Sequence, residues 1–537
     1  MGRWRAWWAF LLAFHQIGGA GLTAAIAALV GASLIYAQPS TAWLRRGVIH
    51  VAPDGFDGFP GSSRRFAVRT IQRAVDLANP GETILIWPGT YREEVFLRRG
   101  GRPGKPLILR AAIPGQAVIS GVADPAITAS WRWQAHGAHL WSTPVSSSVA
   151  GLRWDGVMAF RSGSLPHLRR ICSLPGAWPA FTSSDRELWL CLPGGERPMA
   201  SRLEVSRPMP HRTRSGGHQV ASLWIEAPHV EVRDLRFDFA VMAAIQLWNT
   251  HHVLIEGNHF EGADVAINGN PSLRPLRQIR VSRNLSSCYP LYEWNREGWL
   301  SWKEVYSYSN CSLVWLAGSD MTVAGNIVLQ AGDGIKISPH AGRNEARSNL
   351  IVETTDDAFE FDGPARHLLV SDNVVFNSSV ALAPSPVSAG PLLIERNTFL
   401  LFPTHPRKGY GVLLKLMGGA IHNVKLKDNF YLGFQIGYGV ADSPLSAVDV
   451  VANGFATVRS REEGLAQTAQ IRWQENRFRH LSLAEWAAAS QNPAPLAAVG
   501  GRPVAMAPVG PAWMDLASDR ASLPLRPYLR SPWLQMP

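Results

Sequence analysis

Residues 331–340 read AGDGIKISPH, and residues 355–364, twenty-four positions further on, read TDDAFEFDGP. Each stretch carries an aspartate followed by an apolar–charged–apolar triplet, Ile335-Lys336-Ile337 in the first and Phe359-Glu360-Phe361 in the second. Alternation with a period of two argues for strands. Its return at a fixed distance argues for a chain that winds through coils of equal length. Stacked in register, such coils lie about 4.8 Å apart. Ile335, Ile337, Phe359 and Phe361 then point inward, and Lys336 and Glu360 become outward-facing neighbours.

The period extends on both sides of this pair. Short apolar runs end in asparagine at Asn258, Asn284, Asn326, Asn349, Asn373, Asn397, Asn429, Asn453 and Asn476, and five of the eight spacings are 23 or 24 residues. The others are that unit plus an insertion. A single unit cannot bury its inward side chains, but stacked units can. A parallel β-solenoid follows, with each asparagine at a turn where it tolerates a left-handed backbone and bonds to the coils above and below. A leucine-rich repeat is excluded by the absence of its leucine pattern, and a propeller needs a longer unit.

The composition agrees. Only 17% of the 537 residues are charged, and Gly and Pro together number 86, which favours turns over long surface helices. The net charge of +11 suits an acidic partner, but no Lys/Arg block resembles a nucleic-acid-binding arm. Residues 1–37 read as a signal peptide or a membrane anchor: Arg3 and Arg5 precede an apolar stretch, and Ile17 to Ala37 is free of charge for 21 residues, enough to span a bilayer. Either reading exports the bulk of the chain to the periplasm or the extracellular space, with the membrane engaged only through residues 17–37. Four cysteines without a Cys-x-x-Cys motif fit disulfides better than zinc; Cys172–Cys191 and Cys288–Cys311 are the expected pairs, each closing a short loop.

Both ends of the solenoid carry helix signals. Ile71, Ala74, Val75 and Ala78 share one helical face ahead of Pro80-Gly81, and Ser482 with Glu485 forms a capping box for the segment from Leu483. The expected organisation is an N-terminal cap and first coils over 48–122, an inserted Trp/Pro-rich β-subdomain over 123–224, the main parallel β-helix over 225–480, and a C-terminal cap helix with an irregular tail over 481–537. A second insertion, 285–312, holds seven Tyr and Trp residues, among them Trp299 and Trp302.

Residues 50–121 (HVAPDGFDGFPGSS…RTIQRAVDLANPGETILIWPGTYREEV…VISG) and 355–399 resemble right-handed parallel β-helix proteins of the pectate-lyase-like superfamily. The resemblance implies the fold strongly and the reaction weakly, since the group holds lyases, hydrolases, epimerases and proteins without a known reaction.

Matching the triplets from coil to coil predicts one external row: Gln246, Ala266, Trp315, Lys336, Glu360, Ala381 and Lys415. Trp315, with Gln246, Trp299 and Trp302, is a candidate for contact with a sugar polymer, because aromatic faces stack on sugar rings. Asp333, Asp356 and Asp357 are candidate ligands for Ca²⁺, a hard ion that takes several oxygens. Lys336 or Lys415 is then the candidate base for a β-elimination on a uronate polymer, and it needs a lowered pKa, which Glu360 opposes at Lys336. Alternatively, Asp333 with Asp356 and Asp357 resembles the three-aspartate arrangement of inverting polygalacturonase-type hydrolases, although the Gly-His-Gly and Arg-Ile-Lys expected further along are absent. A third reading is a non-catalytic carbohydrate-binding or structural surface β-helix, in which the aspartates cap turns and Lys336–Glu360 is a surface pair; on every reading the chain is expected to be a monomer.

Overall fold

The structure is a computed structural model. It describes residues 47–174, 178–207, 221–240, 242–269, 275–287, 311–384, 386–402, 411–416, 418–433, 444–458 and 471–489, with Leu496 and two short strands, Val504–Ala505 and Leu534–Gln535, beyond them. The chain is an all-β parallel solenoid. Its strands fall into three ladders, to each of which a coil contributes at most one strand among the described residues. The first runs from Val95–Leu97 through Ala221–Ile225, Ala243–Leu247, Val265–Gly269, Ser312–Ser319 and Ile335–Ala341, and on to Val412–Leu414. The second begins at Val48–Val51 and ends at Ile471–Gln474. The third runs from Gly89–Tyr91 to Arg477–His480. Alternate residues of all three ladders fill one continuous apolar core between them.

The asparagines hold the coils in register. Asn258, Asn284, Asn326, Asn349, Asn373, Asn397, Asn429, Asn453 and Asn476 form an unbroken column in which each Nδ2 donates to the Oδ1 of the next. At Asn349 the Oδ1 also accepts the backbone N–H of Asn326 at 3.0 Å, and its Nδ2 donates to the carbonyl of Val323 at 3.0 Å. One side chain therefore satisfies two backbone groups of the preceding coil and joins the amide of Asn373 on the next, inside the core, where an unpaired group is costly. Beside this column, Phe399, Tyr431, Phe455 and Phe478 stack with centroids 4.9–5.1 Å apart, the spacing that in-register coils impose.

The helix Ile71–Leu77 buries Ile71, Ala74 and Val75 in the same core, and both carboxylate oxygens of Glu93 accept its first free N–H groups. Ser482 and Glu485 make the reciprocal bonds of a capping box at the helix Leu483–Ala489. Between Ser120 and Ala221 the chain leaves the ladders and forms a three-stranded and a five-stranded sheet with their own apolar clusters. Cys172 and Cys191 are disulfide-bonded. Cys311 is also disulfide-bonded, and Cys288, its expected partner, lies outside the described residues. Among the described residues no helix is long and apolar enough to cross a membrane; the stretch 17–37 lies outside them.

Asn349→Ala removes the acceptor for Asn326 and the donor to Val323 at once. It is expected to cost about 2–4 kcal/mol, read as a lower denaturant midpoint, whereas Arg347→Ala on the exposed edge of the same coil changes the midpoint little. Equal midpoints for the two variants would contradict the role given to the column.

Candidate active site

Register places the site. In the first ladder Val314, Trp315 and Leu316 pair with Ile335, Lys336 and Ile337, and Ile335 and Lys336 pair with Phe359 and Glu360. Lys336 and Glu360 are thus adjacent, as the matched triplets predict. Further along the row the structure corrects the reading. Gln246 pairs with Asn268, not Ala266, and Glu360 pairs with Ala383, not Ala381. Both slips are two residues, so the outward face is preserved. They arise because the true triplets end in Gly269 and Pro384. A Cβ on Gly269 would come within 2.4 Å of Leu276, so an apolar side chain has no room there. The observed row is Phe96, Trp224, Gln246, Asn268, Trp315, Lys336, Glu360 and Ala383, with Lys415 next. At 4.8 Å per coil it is roughly 40 Å long.

The polar residues of this row are tied to one another rather than solvated. Asn268 Nδ2 donates to Gln246 Oε1 at 3.0 Å, and both side chains are buried. Trp224 stacks on Phe96 and donates to Glu94. The Lys336 ammonium lies 4.7 Å from the centre of the Trp315 ring, 2.8 Å from Glu360 Oε2 and 2.9 Å from Asp362 Oδ2. Trp315 therefore gives one face to Lys336 instead of to an open groove. Asp362, which the sequence reading passed over, stands two residues beyond Glu360, just past the strand's end at Phe361, and the two-residue spacing would have revealed it. Trp299 and Trp302 lie outside the described residues.

The aspartates sit at the corner where the third ladder turns into the first. The strand Leu350–Phe361 crosses that corner without a break, and its register shifts between Thr354 and Asp357. The Asp357 N–H donates to Asp333 Oδ1 at 3.3 Å, so the two are neighbours on consecutive coils. Asp333 is 0% exposed and Asp357 1%. Both carboxyls therefore lie beneath the surface of the row. Lys415 reaches back over the small Ala383. Its Nζ donates to Asp357 Oδ2 at 2.8 Å and to Asp356 Oδ1 at 3.3 Å, with its side chain 16% exposed.

The cluster is overcharged. Asp333, Asp356, Asp357, Glu360 and Asp362 face two ammonium groups, Lys336 and Lys415. Burial, and after it the charges of Glu360, Asp357 and Asp356, push the Asp333 carboxyl well above the ordinary range, and a hydrogen bond with Glu360 adds to this. Burial and Asp356 also push Asp357 up, with Lys415 pulling it back. Burial lowers both lysines, but their carboxylate partners outweigh it and hold each above the usual lysine value. Both shifts run opposite to the lowered pKa expected of a base at Lys336 or Lys415.

An all-oxygen cluster with excess negative charge suits a hard divalent cation. Asp333, Asp357 and Glu360 each offer a carboxylate oxygen within 4.8 Å of the others, about twice a Ca–O bond. The buried Asp357 Oδ1 has no hydrogen-bond partner. The donor set differs from the expected one: Glu360 stands in the place given to Asp356, whose carboxylate turns to Lys415.

No family model and no curated protein sequence matches the chain. Several solved structures are similar to it in fold. One is described as the complex of XylC with xylose, at 10% identity and a TM-score of 0.47, covering 80% of this chain and 86% of that one. Pectate lyase Pel9A has 12% identity and a TM-score of 0.37, over 74% and 78%. An alginate lyase from Paenibacillus sp. str. FPU-7 has 11% identity and a TM-score of 0.36, over 75% and 99%. The parallel β-helix implied by the resemblance to pectate-lyase-like proteins is the architecture that the strand pairings show.

Because Asp333 is pushed up, the folded chain binds more protons than the unfolded one above the ordinary carboxylate pKa of about 4. Its contribution to stability is full below that value and is lost as pH rises towards the raised one. In chelator-containing buffer the unfolding midpoint should therefore fall as pH rises above the ordinary carboxylate range, and Asp333→Asn should flatten the slope. A midpoint that rises with pH, or a slope that Asp333→Asn leaves unchanged, would contradict this assignment.

Proposed function

We propose that this protein is an exported lyase that cleaves a uronate-containing polysaccharide by β-elimination, with Lys415 as the base. The observation that carries this reading is the position of the Lys415 ammonium. It lies at the partly exposed edge of a buried carboxylate nest, bonded to Asp356 and Asp357. Ca²⁺ is the favoured cofactor, with Asp333, Asp357 and Glu360 as the residues that would hold it. When bound, it would neutralise the nest and attract the substrate carboxylate, which acidifies the adjacent C–H.

Lys415 owes its raised pKa to Asp357 and Asp356, so any loss of their negative charge frees it to lose its proton. Neutral Lys415 takes the proton next to the uronate carboxylate. The electron pair left behind forms the C=C bond as the glycosidic C–O bond at the β-carbon breaks, and the leaving oxygen is protonated from lysine or solvent. Lys336, fixed by Trp315, Glu360 and Asp362, keeps its charge and offsets the carboxylates beside the nest. Inverting hydrolysis fits less well, because its general acid must touch the glycosidic oxygen and Asp333 and Asp357 are buried.

The finer features of the fold belong to the same reading. The helix Ile71–Leu77 plugs one end of the core, the helix Leu483–Ala489 covers the other, and the two small sheets after Ser120 form an inserted subdomain that meets the solenoid where Arg153 pairs with Asp238. The disulfide supports export, since such bonds persist in oxidising compartments.

The test is a panel of uronate polymers, with and without calcium, followed by the absorbance of newly formed unsaturated ends. Lys415→Ala is expected to lower the rate at least ~100-fold, and a chelator to abolish it. Reducing ends that accumulate without the absorbance would establish hydrolysis instead. Binding without turnover across the panel would establish a non-catalytic carbohydrate-binding protein.

A further inference from the structure

We infer that His229, His251 and His252 form a second metal site, for a borderline divalent transition-metal ion of the Zn²⁺ class. The site is separate from the carboxylate nest. It lies where the first ladder gives way to the second, three or more coils before the coil of Asp333, roughly 14 Å or more along the axis.

The backbone assembles the three rings. His229 and His252 precede Val230 and Val253, which pair on consecutive coils, so the two histidines stack with ring centroids 4.4 Å apart. Both adopt a left-handed backbone, with φ of 56° and 55°. Consecutive residues of a regular strand point to opposite faces. The positive φ at His252 breaks that alternation and turns its ring to the side of His251. Their centroids are 4.9 Å apart, and the two Nδ1 atoms share a hydrogen bond at 2.7 Å, whose proton a bound ion would displace. His251 also packs edge-on against His229 at 5.6 Å.

Each ring offers one nitrogen, and all three nitrogens lie within 4.8 Å of one another. Imidazole nitrogens are the ligand type that zinc, copper and nickel prefer, whereas calcium and magnesium prefer oxygen. Three nitrogens leave a fourth position open for water or a carboxylate. His252 is exposed and the other two are half-buried, so an ion can enter from solvent. Because His229 belongs to one coil and His251 and His252 to the next, the ion would staple two coils through their side chains.

The test uses the full chain without a polyhistidine tag. Equilibrium dialysis and titration calorimetry with ZnCl₂ should show one bound equivalent, and the unfolding midpoint should rise with Zn²⁺. His229→Ala and His252→Ala should each weaken binding at least ~10-fold and remove the rise in midpoint. Circular dichroism should remain that of the wild type, since these side chains are not in the core. Asp333→Asn should bind Zn²⁺ as the wild type does, which separates this site from the carboxylate nest. No binding, or binding that the histidine substitutions leave unchanged, would overturn the proposal.

Discussion

The amide column of the asparagines is the constraint on which the rest of the structure depends. A parallel solenoid has no sequence-local bond that fixes where one coil sits on the next; hydrophobic side chains alone permit sliding by two residues. The column removes that freedom, because every Oδ1 must meet the N–H and Nδ2 of its neighbour in an interior where a missed bond is expensive. With the register fixed at Asn326, Asn349 and Asn373, residues some two dozen positions apart meet as neighbours. Lys336 falls beside Glu360, and Asp333 beside Asp357.

That register concentrates charge in one corner. A strand that turned sharply before Asp357 would leave its carboxylate in water. Instead Leu350–Phe361 runs through the corner and carries Asp356 and Asp357 under the surface. Gathering five carboxylates, three of them buried, around two ammonium groups opposes folding unless protons or a cation are taken up. On the proposed function, protonation, ion binding and the state of Lys415 would be coupled at this corner. In that coupling the fold supplies chemistry that the individual residues lack in solution.

Much of this was legible in the sequence because the relevant signals are periodic. The spacing of the asparagines, the alternation around Lys336 and Glu360, the capping box at Ser482 and the pairing of Cys172 with Cys191 are all short-range or repeated patterns, and the structure reproduces them. Other features do not repeat. Asn268 and Ala383 escaped because Gly269 and Pro384 break the apolar triplets used for alignment. The partnership of Lys415 with Asp356 and Asp357 spans two coils and depends on the small size of Ala383, a packing fact with no signature in spacing. The burial of Asp333 and Asp357 and the raised pKa values of both lysines come from summed tertiary charges. His229, His251 and His252 gave no signal because the left-handed backbone at His252 violates the alternation by which faces are assigned.

The central claim is that the carboxylate nest exchanges protons for a divalent cation and thereby releases Lys415. Titration calorimetry of Ca²⁺ into the metal-free protein tests it most directly, performed at one pH in two buffers of different ionisation enthalpy. The account predicts calcium binding whose apparent enthalpy depends on the buffer, showing net proton release on binding. Calcium binding with an enthalpy independent of buffer, or no binding at all, would contradict it.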